Sequence, residues 1–304
     1  FMTKIWNASR FIMLNHNEDF SDEIDYDNID NFDKWILSSL DDTIREVNKS
    51  FDKYQFNEAI KKIYDFTWNE FCNWYIEIVK DRFNSSNLSL RSNAFNISKH
   101  IIKKILLLLH PISPFISEEI WNHLKDKDDR DIIISQWPST SSRVKSYDVD
   151  SIKDFKEIVT SIRTIRSELN IAPSKKIDII VSVKSDSEIN AINHYRHLIS
   201  KLSNTDKIDL GIKIEKPSKS AIAVCRIAEI YIPLGELVDK KEEILKLNKR
   251  LSELDKLIVS IQSKLSNKQF IDKAPEKVVD GEKNKLNDFI IEREKILSNI
   301  EVLK

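Results

Sequence analysis

Glycine is scarce in this chain of 304 residues, which contains only three. Gly211, Gly235 and Gly281 lie far apart, so no glycine-rich phosphate-binding loop of the dinucleotide or P-loop type can be written from them. Seven prolines and a 41% share of hydrophobic residues are typical of a folded protein, not of a collagen-like or disordered one. The composition therefore favours a helical protein without a nucleotide site of these kinds.

Cysteine is also scarce, the net charge is close to zero, and long apolar runs are absent from the sequence. Cys72 and Cys225 are too far apart for a Cys-x-x-Cys zinc site or a disulfide framework. The 48 basic and 49 acidic residues leave a net charge of -1, so any nucleic acid would have to be bound by local basic patches. The longest apolar run, residues 105–109, is far shorter than the roughly 20 residues that span a bilayer. We expect a cytoplasmic protein with no membrane segment and no metal site.

Residues 1–145 have the apolar spacing of a helical bundle. Pro111 and Pro114 disfavour helical backbone before them, which predicts one helix over 92–109 and another over 115–124, after Ser113. The acidic residues 18–33 are interpreted as a solvated loop, and Trp68, Phe71, Trp74 and Tyr75 as core. Two further helices are predicted from apolar stripes at steps of three and four. The stripes are Phe32, Trp35, Ile36, Leu40, Ile44, Val47 and Phe51, then Phe56, Ala59, Ile60, Ile63, Phe66, Phe71, Trp74 and Ile78.

Residues 146–235 have a different pattern, that of a small α/β domain. An amphipathic helix that starts near Ile152 is predicted to end at Asn170 and Pro173. Runs rich in isoleucine and valine predict strands over 176–183, 208–214, 221–224 and 229–232, with a helix over 187–202 among them.

Residues 236–304 carry two heptad seams separated by a short segment with Pro275. The first seam has a positions at Leu237, Ile244, Leu251, Ile258 and Leu265, and the second runs through Val279, Leu286 and Ile300, interrupted by Arg293. Two apolar seams of similar length predict an antiparallel helical hairpin within one chain; pairing between two chains is the alternative.

No catalytic constellation can be identified in the sequence. His194 and His197 lie three apart on a predicted helix, but no acidic or cysteine side chain accompanies them at a helical step, so we interpret them as surface histidines. The predicted hairpin carries a run of basic residues, which is either a solvated coiled-coil face or a contact for a phosphate backbone. These residues are Lys249, Arg250, Lys256, Lys264, Lys268 and Lys273.

Several segments in the same order along the chain resemble the C-terminal part of the valyl-tRNA synthetases. These segments are residues 4–11 (KIWNASRF), 54–59 (YQFNEA), 64–75 (YDFTWNEFCNWY), 110–121 (HPISPFISEEIW), 135–138 (SQWP), 162–176 (IRTIRSELNIAPSKK) and 265–279 (LSNKQFIDKAPEKVV). The resemblance covers essentially the whole chain. It implies a mainly α fold with a helical-bundle anticodon-binding domain over 1–145, a small α/β linking domain over 146–235 and a coiled-coil hairpin over 236–304.

The resemblance also implies a function, which is to bind tRNA for valine as part of a valine-tRNA ligase. The class I signature HIGH does not occur, and residues 216–220 (KPSKS) only imitate KMSKS, because in the family KMSKS precedes the anticodon-binding helices. We therefore expect no catalytic residue, metal or cofactor in this chain. ATP with Mg²⁺ is expected for the full-length enzyme, in a catalytic part with an editing domain that this chain lacks.

Candidate contacts to tRNA also follow from the resemblance. The anticodon stem and loop are assigned to Lys4, Asn7 and Arg10, with Phe11 stacking on a base or packing in the core. The outer corner of the tRNA is assigned to the hairpin, through Lys249, Arg250, Lys256, Lys264 and Lys268. A hairpin that closes on itself is expected to leave the protein monomeric.

Three alternatives remain open at this point. Isoleucyl- and leucyl-tRNA synthetases share the helical type of anticodon-binding domain, although many isoleucyl enzymes end in a cysteine-based zinc module. A non-catalytic coiled-coil adaptor would use the seams to pair with another protein. A standalone synthetase paralogue would act on another target.

Overall fold

The structure, a computed structural model, describes residues 1–141, 143–144, 146–234, 240–266 and 276–303. It divides into two compact units, Phe1–Lys153 and Asp154–Lys304. The predicted boundary at residue 145 lies inside the first unit, and the predicted α/β domain and hairpin both fall largely in the second. The division into three domains remains a prediction.

The first unit is helical, and the mainly α fold class is confirmed. Asn87 accepts a hydrogen bond from the backbone N–H of Leu90 at 3.2 Å and so caps α5, whose first residue, Leu88, lies four residues before the predicted start at 92. Pro114 occupies the first position of α6, as its fixed φ favours. The helices are α1 (Met2–Leu14), α2 (Asn31–Asp52), α3 (Phe56–Asp65), α4 (Ile76–Phe83), α5 (Leu88–Leu109) and α6 (Pro114–Leu124).

Between α3 and α4 the chain continues as a π-helix, Phe66–Tyr75. Buried residues recur at steps of four from α3 to α4, which is longer than the 3.6-residue turn of an α-helix. An α-helix alone would rotate this stripe away from the core, and the wider π turn rotates it back. The buried stripe is Ala59, Ile63, Thr67, Phe71, Tyr75, Val79 and Phe83. Phe56 and Ile60 belong to the apolar stripe from which the sequence predicts this helix, but they do not join the core, since they are 54% and 39% exposed.

A buried ionic cluster joins the start of α2 to the end of the π segment and to α4. The Arg82 guanidinium donates to both carboxylate oxygens of Asp33 at 2.8 Å, and the Tyr75 hydroxyl donates to Asp33 Oδ1 at 2.7 Å. Asp30 accepts from Arg82 at 2.5 Å and forms a reciprocal capping box with Asp33. Burial raises the pKa of the Asp33 carboxyl, and the Arg82 charge opposes that rise.

The first prediction concerns this cluster. Arg82→Met is expected to lower the free energy of unfolding by about 3–5 kcal/mol, because it leaves the buried Asp33 carboxylate without its counter-ion. Urea unfolding followed by circular dichroism measures the change. Arg45→Met is the control, because Arg45 pairs with Asp42 on the exposed side of α2 and should cost about 0–1 kcal/mol. Equal costs for the two variants would contradict a structural role for the buried cluster.

The second unit begins in α7 (Val149–Glu168) and contains a four-stranded mixed sheet. Its strands are β1 (Ile177–Val183), β2 (Thr205–Ile212), β3 (Ser220–Val224) and β4 (Ala228–Pro233), in the order β2-β1-β4-β3. The helix α8 (Asp186–Ser203) connects the parallel pair β1 and β2, while β4 is antiparallel to β1 and β3. The predicted α/β region is confirmed, with element ends shifted by up to three residues.

The C-terminal residues form an antiparallel helical hairpin of α9 (Lys240–Ser266) and α10 (Glu276–Leu303). At about 1.5 Å per residue each helix is about 40 Å long. Arg293, which interrupts the heptad seam, donates to Asp255 Oδ1 at 2.8 Å, so an ion pair replaces one apolar layer. The predicted intrachain hairpin is confirmed for the described residues, which do not include Leu237. Its core is Leu247, Leu254, Ile296 and Ile300, with Leu251 and Phe289 packed against them.

The second prediction concerns the hairpin core. Leu254→Ala should destabilise the hairpin by about 2–5 kcal/mol, since this fully buried side chain would leave a cavity between the helices. Leu257→Ala, on the same helix but 41% exposed, should change stability by about 0.5 kcal/mol or less. Hydrogen exchange of the α9 and α10 amides measures both changes. A seam that does not hold the hairpin together would give the two variants equal exchange rates.

Candidate nucleic-acid interface

One face of α1 is exposed and carries two of the predicted tRNA contacts. The opposite face is buried, and its side chains Ile5, Ala8 and Ile12 pack the helix against the bundle. Asn7 and Arg10 are both exposed, and their spacing of three places them next to each other on the helix surface. Long hydrogen-bond donors at an exposed helix face suit phosphates and the edges of unstacked bases.

The other two predicted residues of α1 contact the protein itself. Lys4 Nζ donates to Asn73 Oδ1 at 3.0 Å and lies 5.0 Å from the centroid of the Trp68 ring. Phe11 is half-buried and packs edge-on against Phe83, with ring centroids 5.3 Å apart. Both side chains therefore help to attach α1 to the π segment and α4, and their roles as tRNA contacts remain predictions.

Trp6 was missed by the sequence analysis. Its indole is 39% exposed on the same face of α1, adjacent in sequence to Asn7 and one turn before Arg10. The signal was present, because Trp6 is out of step with the apolar spacing of Ile5, Ala8 and Ile12. An exposed indole beside two donors is a surface on which an unpaired base can stack.

The basic residues of the hairpin do not have equivalent surroundings. Arg250 pairs with Glu292 at 2.8 Å across the hairpin, and Lys264 lies 3.7 Å from Glu282. Lys249 and Lys256 are exposed, and neither forms an ion pair with another described residue. Their spacing of seven places both on one side of α9. Lys268 lies outside the described residues.

A polar cleft of about 820 Å³ lies between α5 and the acidic stretch 18–33. That stretch is attached to α5 more firmly than a solvated loop would be. Asn96 Nδ2 donates to the carbonyl oxygens of Ser21 and Glu23 at 2.7 and 2.8 Å, and Asn93 Oδ1 accepts from the backbone N–H of Asp25 at 3.1 Å. The signal in the sequence was a pair of asparagines on the buried side of a helix.

The cations of this cleft are largely matched by acidic side chains. Lys103 donates to Asp126 at 3.0 Å and also pairs with Asp129, while Lys99 pairs with Asp126. Burial, with the nearby charge of Lys104, lowers the pKa of His100 to about 4. The cleft is therefore an internally balanced network and is not the nucleic-acid interface that we assign.

The third prediction follows from His100. Its pKa in the folded state lies below its ordinary value of 6.5, so the unfolded chain binds more protons between pH 6.5 and 4. This contribution to stability is present above pH 6.5 and is lost as the pH falls towards 4, by about 3 kcal/mol. His100→Gln should remove this part of the decline in the free energy of unfolding, which urea unfolding at several pH values measures. His123→Gln, at an exposed histidine, is the control and should leave the decline unchanged. An imidazole of His100 that titrates near 6.5 in NMR spectra would contradict this account.

Other candidates from the sequence do not assemble into a site. His194 and His197 are exposed on α8, and the described residues contain no group of three side chains that could hold a metal ion. Residues 216–220 lie between β2 and the start of β3, as expected of a turn. Burial raises the pKa of the Cys72 thiol to about 11, which makes it a poor nucleophile. None of the described helices is both long and apolar enough to traverse a bilayer.

Two family matches cover the hairpin and most of the helical bundle, without α1. Residues 33–181 match the family described as the anticodon-binding domain of tRNA ligase. The chain thus has the class of domain with which tRNA ligases contact anticodons. Residues 239–304 match the valyl-tRNA synthetase tRNA-binding arm, which includes α9 and α10.

Comparison with individual relatives identifies the family more closely. The chain is 36% identical to a valine-tRNA ligase of Listeria innocua and 34% identical to that of Bacillus subtilis, each match covering 100% of this chain and 35% of the relative. A valine-tRNA ligase of Clostridium acetobutylicum is 36% identical over 94% of this chain and 32% of its own length. The chain belongs to the valyl-tRNA synthetase family and spans about a third of the length of these relatives. These matches favour the valyl-tRNA synthetases over the alternatives of an isoleucyl- or leucyl-tRNA synthetase and of a coiled-coil adaptor.

Proposed function

We propose that this chain binds the tRNA for valine as the tRNA-binding portion of a valine-tRNA ligase, while the attachment of valine takes place in another part of the enzyme. The observation that carries this proposal is the exposed face of α1, where Asn7, Arg10 and Trp6 lie side by side on a helix whose other face is buried. Amide and guanidinium donors next to an aromatic ring are the groups that recognise unpaired RNA bases.

The hairpin supplies a second and less specific contact in this proposal. Lys249 and Lys256 lie two turns apart on one side of α9, where they can follow a phosphate backbone. The apolar core and the Asp255–Arg293 pair keep the two helices together, so these lysines are held on a stiff support. Such contacts add affinity for tRNAs in general, whereas α1 would distinguish between anticodons.

The remaining expectations for the whole enzyme are also proposals. ATP and Mg²⁺ would be bound outside the described residues, because these offer neither a glycine-rich phosphate loop nor a group of three metal-ligating side chains. We propose a monomer, since the two apolar seams pair within one chain over the described residues of α9 and α10. We also propose that the enzyme is located in the cytoplasm.

The fourth prediction tests the assignment of α1. In fluorescence anisotropy, the chain should bind a valine tRNA transcript more tightly than the same transcript with a changed anticodon. Arg10→Ala should weaken binding of the valine transcript by about 1–3 kcal/mol and reduce the preference between the two, because a base-edge or loop contact is lost.

Arg45→Ala is the matched control for this experiment, since it removes an exposed arginine from another helix of the same unit. It should leave the preference for the valine transcript unchanged. Equal binding of both transcripts by the unsubstituted chain would remove anticodon recognition from the proposal, and no binding of either would contradict the proposal itself.

A further inference from the structure

A groove with aromatic walls lies in the helical unit, between the end of α2, the start of α3 and the segment around Trp137. It has a volume of about 600 Å³, a size that accommodates a small organic group. None of its residues belongs to α1 or to the hairpin. We call it the aromatic groove, and its lining residues are Asn48, Phe51, Asp52, Phe56, Pro111 and Trp137.

Contacts within the unit hold the aromatic walls of the groove in place. The ring centroid of Phe51 lies 5.9 Å from that of Phe56 and 5.6 Å from that of Trp137. The Trp137 indole N–H donates to Asn48 Oδ1 at 2.6 Å, which fixes the orientation of the indole. Phe56 and Trp137 nevertheless remain 54% and 41% exposed. The groove is therefore formed in advance and is open to a ligand.

Tyr54, which contacts the groove, has a backbone conformation that tyrosine disfavours. Its φ of 57° lies in the left-handed region, where a glycine or an asparagine usually ends a helix. The backbone N–H of Gln55 donates to the carbonyl oxygen of Ser50 at 2.8 Å, as in the helix ends that favour glycine. The Tyr54 ring is 81% exposed and meets Phe56 edge-on, with centroids 6.3 Å apart. A large exposed ring at a strained position indicates a role other than stability.

Polar and charged groups at the groove have no partner among the described residues. The Asp52 carboxylate forms no ion pair or hydrogen bond with them, and Asn48 Nδ2 donates to none of them. Lys49 and Lys53, which precede and follow Asp52, are exposed, and neither pairs with a described carboxylate. A purely apolar protein surface that covered this groove would leave the carboxylate and the amide unpaired, at a cost in free energy. The groove suits a ligand that is flat, carries hydrogen-bond donors and is attached to phosphate.

We propose that the aromatic groove binds an unpaired base of the tRNA, stacked on the rings of Tyr54 and Phe56. Every base has a π-face that stacks on aromatic rings, and the amino groups of adenine, cytosine and guanine are donors for the Asp52 carboxylate. Lys49 and Lys53 contact the adjoining phosphates. This inference rests on the proposed function, since it names a further contact with the same RNA.

The first test uses Tyr54→Gly, because glycine adopts the left-handed conformation without strain. The variant should be at least as stable to urea as the unsubstituted chain. In fluorescence anisotropy it should nevertheless bind the valine tRNA transcript about tenfold more weakly, since a base loses its stacking partner. Binding of a fully paired RNA duplex should not change, because a duplex offers no unpaired base. Phe115→Ala is the matched control, at a ring that is 91% exposed in the same unit but outside the groove, and should leave both affinities unchanged.

The lysines are tested by the salt dependence of binding. Lys53→Ala should make the slope of log affinity against log salt shallower by about one, because one phosphate contact is lost. Tyr54→Gly removes no charge and should leave that slope unchanged. Lys127→Ala, at another exposed lysine of the unit that does not line the groove, is the control and should also leave the slope unchanged.

Ultraviolet crosslinking followed by mass spectrometry locates the contact without any substitution. Peptides that contain Tyr54, Phe56 or Trp137 should carry a crosslinked nucleotide. Unchanged binding by Tyr54→Gly and Lys53→Ala, with no crosslink at the groove, would overturn the inference and favour another part of the enzyme as the occupant. The proposed function would still stand if Arg10→Ala weakened binding, whereas failure of the unsubstituted chain to bind tRNA would overturn both.

Discussion

The need to keep one stripe of side chains buried through a long helix is the constraint on which the candidate interface depends. Residues at steps of four, from Ala59 to Phe83, stay on the core side only because the middle of the helix widens into a π-helix. That segment places Asn73 and Trp68 where Lys4 contacts both. These contacts hold α1 against the bundle, and the orientation in which the helix is held determines which of its residues face solvent.

Cations have three different environments in this protein, whose net charge is only -1. Arg82 is buried with carboxylates, so it ties helices together. Arg166 is buried and donates to the backbone carbonyl oxygens of Ala172 and Lys175, so it shapes the segment between α7 and β1. Lys249 and Lys256 are exposed on a stiff hairpin. A nearly neutral chain can thus bind a polyanion, because the location of each charge matters more than the total.

Several elements of the fold were predictable because their signals are local. The heptad spacing of α9 and α10 predicted an intrachain hairpin, since apolar seams of this length must be covered and a short connection allows them to cover each other. Pro111 and Pro114 marked the boundary between α5 and α6, because proline restricts its own backbone and that of the preceding residue. Strand runs rich in isoleucine and valine predicted the sheet for the same local reason.

The sequence by itself therefore determined the helical class, the hairpin and, through its ordered motifs, the family. Tertiary structure alone decided the orientation and partners of individual side chains. It turned Asn7 and Arg10 outward, gave Lys4 and Phe11 partners inside the protein, and placed Arg166 against the carbonyl oxygens of residues 172–175. The physical reason is the separation along the chain over which each signal acts. Periodicity and backbone preference act over a few residues, whereas Lys4 and Asn73 are 69 positions apart and Arg166 and Asn204 are 38 apart. Contacts at such separations exist only once the chain has folded.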